Sequence, residues 1–300
     1  KKEQFYHMFA NGDDAQNLIV SNRDFIVIFN LIAICSANNP DVRVVSFSIE
    51  ETHPHLLLYG RRSACERFKK MFESSVLHHI AATRGTLDNV VLECEILEVE
   101  DDEYLLNVGV YTIFQATKDG KAVMPYDYLW GSGALYFRDK RSALPWLFDE
   151  DGNKLEPVRI GSLTMAERKR IECSRMAVPD DWLVCNGLIL PTNYVDVELF
   201  ESIYTTHNRY RVFMGNSSKK NQVVLERMAR TRGIRLDDLE VRRLAENECT
   251  LLFGKKTARW LTTEERLRLA RQLRSKYGIM FRQLATVCRL PESELSKYLK

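Results

Sequence analysis

The sequence has no long apolar run. Its most hydrophobic window, FIVIFNLIAICS at 25–36, is twelve residues, against roughly 20 for a membrane-spanning helix. No signal-like leader opens the chain, so neither a membrane protein nor a secreted one is expected. Cysteine is present but unpatterned. Cys35, Cys65, Cys94, Cys173, Cys185, Cys249 and Cys288 are odd in number and scattered, with no C-x-x-C. That excludes a disulfide framework or a zinc ribbon and predicts reduced, mostly buried thiols in a cytoplasmic protein. Internal repeats and low-complexity tracts are absent. Net charge is nearly absent as well, at +2.

The small net charge hides an asymmetry. Residues 226–300 hold 18 Lys+Arg against 10 Asp+Glu, about +8, while the other 225 residues hold 25 against 31, about −6. A basic C-terminal quarter on a mildly acidic body suggests an appended nucleic-acid-binding module. A solvated basic helix bundle would show the same balance. With 300 residues, 45% of them apolar, the chain is long enough for two domains with a sizeable core.

Periodicity orders the first half. FYHMFANG, 5–12, reads as a strand ending in a turn. NRDFIVIFNLIAICSANN, 22–39, reads as a helix capped by its Asn. VRVVSFSIE, 42–50, and THPHLLLYG, 52–60, are β-rich and joined tightly enough for a hairpin or bend. SACERFKKMFESSVLHHIAATRG, 63–85, is an amphipathic helix ended by Gly85. VVLECEILEVE, 90–100, alternates like a half-buried strand, and DDEYLLNVGVYTIFQATKDG, 101–120, has the acidic start and Lys-Asp-Gly end of a helix. The order β-α-β-β-α-β-α predicts an α+β fold, a ferredoxin-like antiparallel sheet with helices on one face. DEDGNKLEP, 149–157, and NSSKKNQ, 216–222, are polar breaks. The domains expected are therefore 1–142, a linker and intermediate segment at 143–222, and a mostly helical region at 223–300.

Two histidines sit two apart in THPHLLLYG. On a strand, i and i+2 share a face, so His53 and His55 would present two imidazoles side by side, a platform for a divalent metal. Two histidines that fall by accident on a buried strand would look the same. Tyr111 and Gln115 are four apart on the predicted helix and share a face. They could add a hydroxyl and a third donor, or be a half-buried aromatic and a surface amide.

Three separated motifs bear on the choice. YHM and THPHLLL resemble the Y-H-V and N-H-V-H-L-L patterns of the single-tyrosine HUH transposases (HUH denotes His-hydrophobic-His), most of all the REP-associated tyrosine transposases. YLLNVGVYTIFQAT, 104–117, resembles their Y-L-L…Y-I-x-x-N-P helix, and YDYLWGSGALYF, 126–137, their D-Y-x-W-S-S segment. The three occur in the family's order over about 135 residues. The resemblance implies an HUH endonuclease fold, His53, His55 and Gln115 as ligands of Mg²⁺ or Mn²⁺, and Tyr111 as nucleophile. Tyr104 lies seven residues earlier, with Val108 rather than a ligand four residues on. Departures are Thr52 for the Asn before the first His, Pro54 at the U position, Ala116-Thr117 for Asn-Pro, and a basic stretch reduced to Arg84.

The chemistry implied is metal-dependent endonuclease and strand-transferase action on single-stranded or hairpin DNA. The tyrosine takes the 5′ phosphate and frees a 3′-OH. Arg61, Arg62, Lys69 and Lys70 are candidates for holding the strand. A DNA-binding regulator on an inactive HUH scaffold is the alternative. Rolling-circle initiators and relaxases share the chemistry, but relaxases carry the tyrosine before the His pair. The partners implied are DNA, with no membrane and room for a homodimer, in the bacterial cytoplasm with the nucleoid.

FRQLATVCRLPESELSKYL, 281–299, fits a helix-turn-helix and resembles the C-terminal DNA-binding segment of the replication initiator DnaA. Arg289 stands where Gly is usual at the turn, and Pro291 opens the second helix. Arg282, Ser293, Ser296 and Lys297 would face duplex DNA. On the helix before it, 262–278, Arg266, Arg268, Arg271 and Arg274 are expected to be exposed.

Overall fold

The computed structural model describes residues 2–10, 18–87, 90, 92–115, 124–139, 144–172, 176–215, 223–225, 227–228, 238–291, 294–295 and 298. They fall into two compact units, divided near residue 220.

The first unit opens with β1 (Gln4–Ala10), α1 (Asn22–Ala37), β2 (Val42–Ile49), β3 (Pro54–Gly60), α2 (Arg62–Arg84), β4 (Cys94–Glu98) and α3 (Asp102–Ile113). The strands form an antiparallel sheet in the order β2-β3-β1-β4, the split βαβ plan expected from the element order. Local chemistry explains several boundaries. α1 is capped by Ser21, one residue before the expected Asn. The Ser21 hydroxyl accepts from the Asp24 amide and the Asp24 carboxylate accepts from the Ser21 amide, a closed capping box. Gly85 ends α2 in the left-handed conformation, φ 73°. Pro54 is the first residue of β3, a strand position where a missing N–H is tolerated.

Helices lie on both faces of this sheet, not on one. Tyr6, Met8, Leu56, Leu58 and Phe47 turn toward α1 and α2, where Phe29 meets Phe47 at 5.5 Å between rings. His7, Phe9, His55 and Leu57 turn the other way, toward α3. Alternation along a strand makes both faces necessary, because β1, β2 and β3 are buried on each side and each side needs a cover. α3 ends at Ile113 with Phe114 as its C-cap, and the predicted end at 116–120 lies outside the described residues.

The outer edge of the sheet is β2, and an exposed edge invites pairing with other chains. Residues 128–136 cover it. The Ile49 amide donates to the Trp130 carbonyl, the Ser132 amide to the Phe47 carbonyl, and the Phe47 amide to the Ser132 hydroxyl. The Tyr128 and Tyr136 hydroxyls donate to the carbonyls of Ile49 and Val45. At the other end of β2, the Asp196 amide donates to the Val44 carbonyl.

The stretch from 143 to 215 is thus part of the first unit rather than a spacer. It contains a small sheet of β5 (Val158–Arg159), β6 (Leu183–Cys185) and β7 (Leu188–Ile189), with α4 (Met165–Glu172), α5 (Val197–Tyr204) and α6 (His207–Gly215). The buried Asn30 side chain on α1 ties it down. Its amide donates to the carbonyls of Ile171 and Gly187, and its oxygen accepts from the Ile189 amide. Tyr204 on α5 donates to the Leu106 carbonyl of α3, over Gly109, where only a missing β-carbon admits the ring.

The second unit packs α7 (Asp238–Phe253), α8 (Thr263–Tyr277) and α9 (Phe281–Cys288) around Leu244, Leu269, Leu273, Leu284 and Cys288. Arg289 adopts the left-handed conformation, φ 54°, that the turn after α9 requires, and the Leu295 amide donates to the Pro291 carbonyl as a new helical turn begins. No helix among the described residues is long and apolar enough to cross a membrane.

Candidate functional site

The site lies between the sheet and α3. His53 sits just before β3, its carbonyl accepting from the Glu50 amide in the turn from β2. His55 is the second residue of β3. Their rings are 4.7 Å apart and nearly edge to face, so the pair is side by side although only one of them is in the strand. From the helix, Tyr111 meets His55 edge-on at 5.4 Å between ring centres. Gln115 follows the end of α3, and its amide nitrogen donates to the Tyr111 carbonyl at 2.9 Å. Gln115 is again helical, and this side-chain bond ties it to Tyr111 four residues earlier. His55 and Tyr111 are wholly buried, and His53 and Gln115 nearly so.

Two further residues belong to this cluster. His7 on β1 stacks on His55, with its Nε2 3.2 Å from His55 Nδ1. Its Nδ1 lies 3.1 Å from the Tyr104 hydroxyl. The tyrosine that sequence spacing set aside thus forms the far end of a Tyr104–His7–His55 chain. Only the β1–β3 register, with His7 opposite Leu57 and Phe9 opposite His55, brings His7 to this face. The YHM motif was the one sequence signal for it.

The chain matches no family model, no curated protein and no solved structure.

The donor atoms test the fit of a metal. His53 Nδ1 is 2.7 Å from the Thr52 hydroxyl and His55 Nδ1 is engaged by His7. In each imidazole Nδ1 is thus held by an outer partner, as metal-binding histidines usually have one nitrogen held. Two imidazoles meeting one ion at about 2.1 Å and about 90° would hold their centroids roughly 4.5 Å apart, close to the spacing seen. Among the described residues no three His, Cys, Asp or Glu side chains converge to hold a metal. The third donor expected from the sequence, Gln115 Oε1, is a neutral one. The donor set fits a borderline divalent ion such as Mn²⁺ better than Mg²⁺.

The expected strand-holding cations are elsewhere. Arg61, Arg62, Lys69 and Lys70 begin at the far end of β3, and six residues of strand from His55 to Arg61 span about 20 Å. They continue on α2, which covers the opposite face of the sheet. Arg62 and Lys69 are further engaged by Glu66, at 3.8 and 3.6 Å. Adjacency in sequence to the His pair was a poor guide because a strand carries its two ends apart.

In the second unit Arg282 is exposed near the start of α9, while Ser293, Ser296 and Lys297 lie outside the described residues. The arginines of α8 divide. Arg268 and Arg271 are exposed, with Arg271 over the Tyr298 ring at 4.5 Å. Arg266 is spent on the carbonyls of Ala258, Arg259 and Arg289, and Arg274 on that of Ile279. They brace the turns instead of facing solvent. The described cysteines are buried and reduced, and burial pushes the Cys35, Cys65 and Cys288 thiols up to about 12.

Proposed function

We propose that the first unit is a metal-dependent single-strand DNA endonuclease and strand transferase of the single-tyrosine HUH transposase type. One observation carries the reading: His53, His55 and Tyr111, from elements more than fifty residues apart, share one buried cluster with rings 4.7 and 5.4 Å apart. The metal would be held by His53, His55 and Gln115, and when bound would neutralise charge on the phosphate oxygens. Tyr111 Oη would attack the phosphorus of a backbone phosphodiester. The bond to the 3′ oxygen breaks, that oxygen takes up a proton as the tyrosine loses one, and the 5′ phosphate stays on Tyr111. Attack by a 3′-OH reverses the step without an external energy source. The basic second unit, with Arg268, Arg271 and Arg282 exposed, would bind duplex DNA. This reading implies the bacterial cytoplasm.

The burial of Tyr111 favours a second reading, a regulator that binds DNA on the same scaffold without cutting it. A nucleophile must meet its phosphate, so cutting requires the cover over Tyr111 to open. The test is incubation with labelled single-stranded oligonucleotides and Mn²⁺, followed by a denaturing gel. A covalent adduct lost in Tyr111→Phe supports the nuclease. Adducts that persist in that variant reject the nucleophile assignment, and DNA binding with no adduct for any sequence of a random library selects the regulator.

A further inference from the structure

Beyond the His-Tyr cluster, the first unit has a cleft of about 1020 Å³. Phe114, the C-cap of α3 three residues past Tyr111, forms part of its wall. Tyr126, Phe137 and Arg138 line it from the edge-covering segment, and His207 and Arg211 from α6. The size is that of a site for a drug-sized ligand, roughly 300–1,000 Å³. The chemistry is narrower. Phe137 packs against His207 and against Tyr210, with near-parallel rings at 5.8 and 4.9 Å. Tyr126 is 53% exposed, a large aromatic held toward solvent at the cleft. Among the described lining residues two arginines stand beside one acid, Asp127.

Phe137 is also in an unusual backbone state. Its φ is 48°, a region most side chains avoid, and the Glu201 carboxylate holds it there by accepting from its amide at 2.6 Å. Such strain persists where the surroundings over-determine it and clusters at ligand sites. Here it fixes the orientation of the Phe137 ring.

We propose that this cleft binds an unpaired base of single-stranded DNA together with the phosphate beside it. The exposed Tyr126 ring stacks the base, and Arg138 and Arg211 take the phosphate. Stacking of this kind needs a base outside a duplex and tolerates any sequence. The inference rests on the single-strand reading above and assigns the strand-holding role to 124–138 and 207–215 rather than to α2.

The test is fluorescence anisotropy of the full chain with a labelled 20-nucleotide oligo-dT, across a salt series. Tyr126→Ala is expected to weaken binding about 5- to 100-fold. Arg211→Ala is expected to lower the slope of log affinity against log salt by about 0.7, with Lys70→Ala on α2 unchanged. An oligo-dT carrying 5-iododeoxyuridine should cross-link to peptides containing Tyr126 or Phe137. Binding of wild type that neither cleft variant alters overturns the cleft and leaves the single-strand reading standing. No binding of oligo-dT or of random single strands by wild type overturns both. Tighter binding of the equivalent RNA overturns the assignment to DNA.

Discussion

His7 should control metal affinity without touching the metal. Suppose that His55 offers Nε2 to an ion. Its proton must then sit on Nδ1 and be donated to His7 Nε2, 3.2 Å away. His7 must in turn carry its proton on Nδ1 and donate it to the Tyr104 oxygen at 3.1 Å. The opposite polarity, with Tyr104 donating to His7 and His7 to His55, leaves the His55 proton on Nε2 and blocks ligation. His7→Phe keeps a ring of similar size beside Phe9 and His55 but removes the acceptor that selects the competent tautomer. Loss of such an outer partner typically costs 10- to 100-fold in metal affinity, about 1.4 to 2.7 kcal/mol. Two buried hydrogen bonds go as well, at about 0.5–1.5 kcal/mol of stability each. Titration calorimetry with Mn²⁺ reads the first and urea unfolding the second. His7→Gln, whose amide oxygen can accept from His55, should recover part of the affinity. A folded His7→Phe protein with unchanged Mn²⁺ affinity refutes the relay, and if His53→Ala also leaves it unchanged, the metal site itself is wrong.

Further expectations concern the frame around the site. Asp24 caps α1 and reaches His79 and Arg84 on α2. Burial alone would raise its carboxyl. Hydrogen bonds from the Val20 amide, Ser21 and His79, with the charge of Arg84, outweigh that and hold it below the usual carboxylate range. A depressed folded value contributes stability that is present above the unfolded carboxylate range, near pH 4, and is lost as pH falls through the folded value. Asp24→Asn should therefore lose about 1.5–3 kcal/mol at neutral pH and flatten the acid limb of urea stability against pH. An unaltered acid limb would count against this account. Gly109→Ala should drive the Tyr204 hydroxyl off the Leu106 carbonyl and destabilise the first unit by about 1–3 kcal/mol, measured by thermal unfolding. Of the seven cysteines, six are buried. Native protein at pH 8 should thus give up no more than one thiol rapidly to a chromogenic disulfide, and all seven after unfolding.

The β-α-β-β-α-β-α order was legible because each element has its own period and its own stop signal. Ser21, Gly85 and Pro54 do their work within a few residues. Facing was harder. Helices on one side follow from element order by analogy, whereas α3 on the other side follows from strands buried on both faces, runs such as VRVVSFSI and PHLLLYG whose two-sided burial leaves little alternation to read. Type and spacing alone left His53, His55 and Tyr111 open between a site and an accident; the family resemblance grouped them, and β3 begins between the two histidines. His7 was not, since its role depends on a strand register fixed by pairings fifty residues apart. The same limit explains Arg61, Arg62 and Lys69, which neighbour the histidines along the chain and end on the far side of the sheet. The stretch 143–215 offered short elements with no strong period, and its attachment runs through single polar residues such as Asn30.

The interface between the sheet and α3 is costly if structure is its only purpose. His7, His55, Ser46, Ser48 and Glu50 are all buried, and Ser46 and Ser48 share the His55 face through their pairing with Leu57 and His55. The Ser46 hydroxyl has no hydrogen-bond partner among the described residues. Tyr104, Asn107, Tyr111 and Thr112 approach from the helix, all buried. Each buried polar group must find a partner or cost about 1–3 kcal/mol, and an apolar layer would close the same gap with no such demand. The opposite face shows what this chain does when only packing is at stake: Phe29, Phe47, Leu56, Leu58, Phe68 and Phe72 fill it. On this one sheet the layer under α3 is the more polar of the two. A layer that gives up packing energy on a single face, and concentrates histidine and tyrosine there, is the expected mark of a site kept for its chemistry.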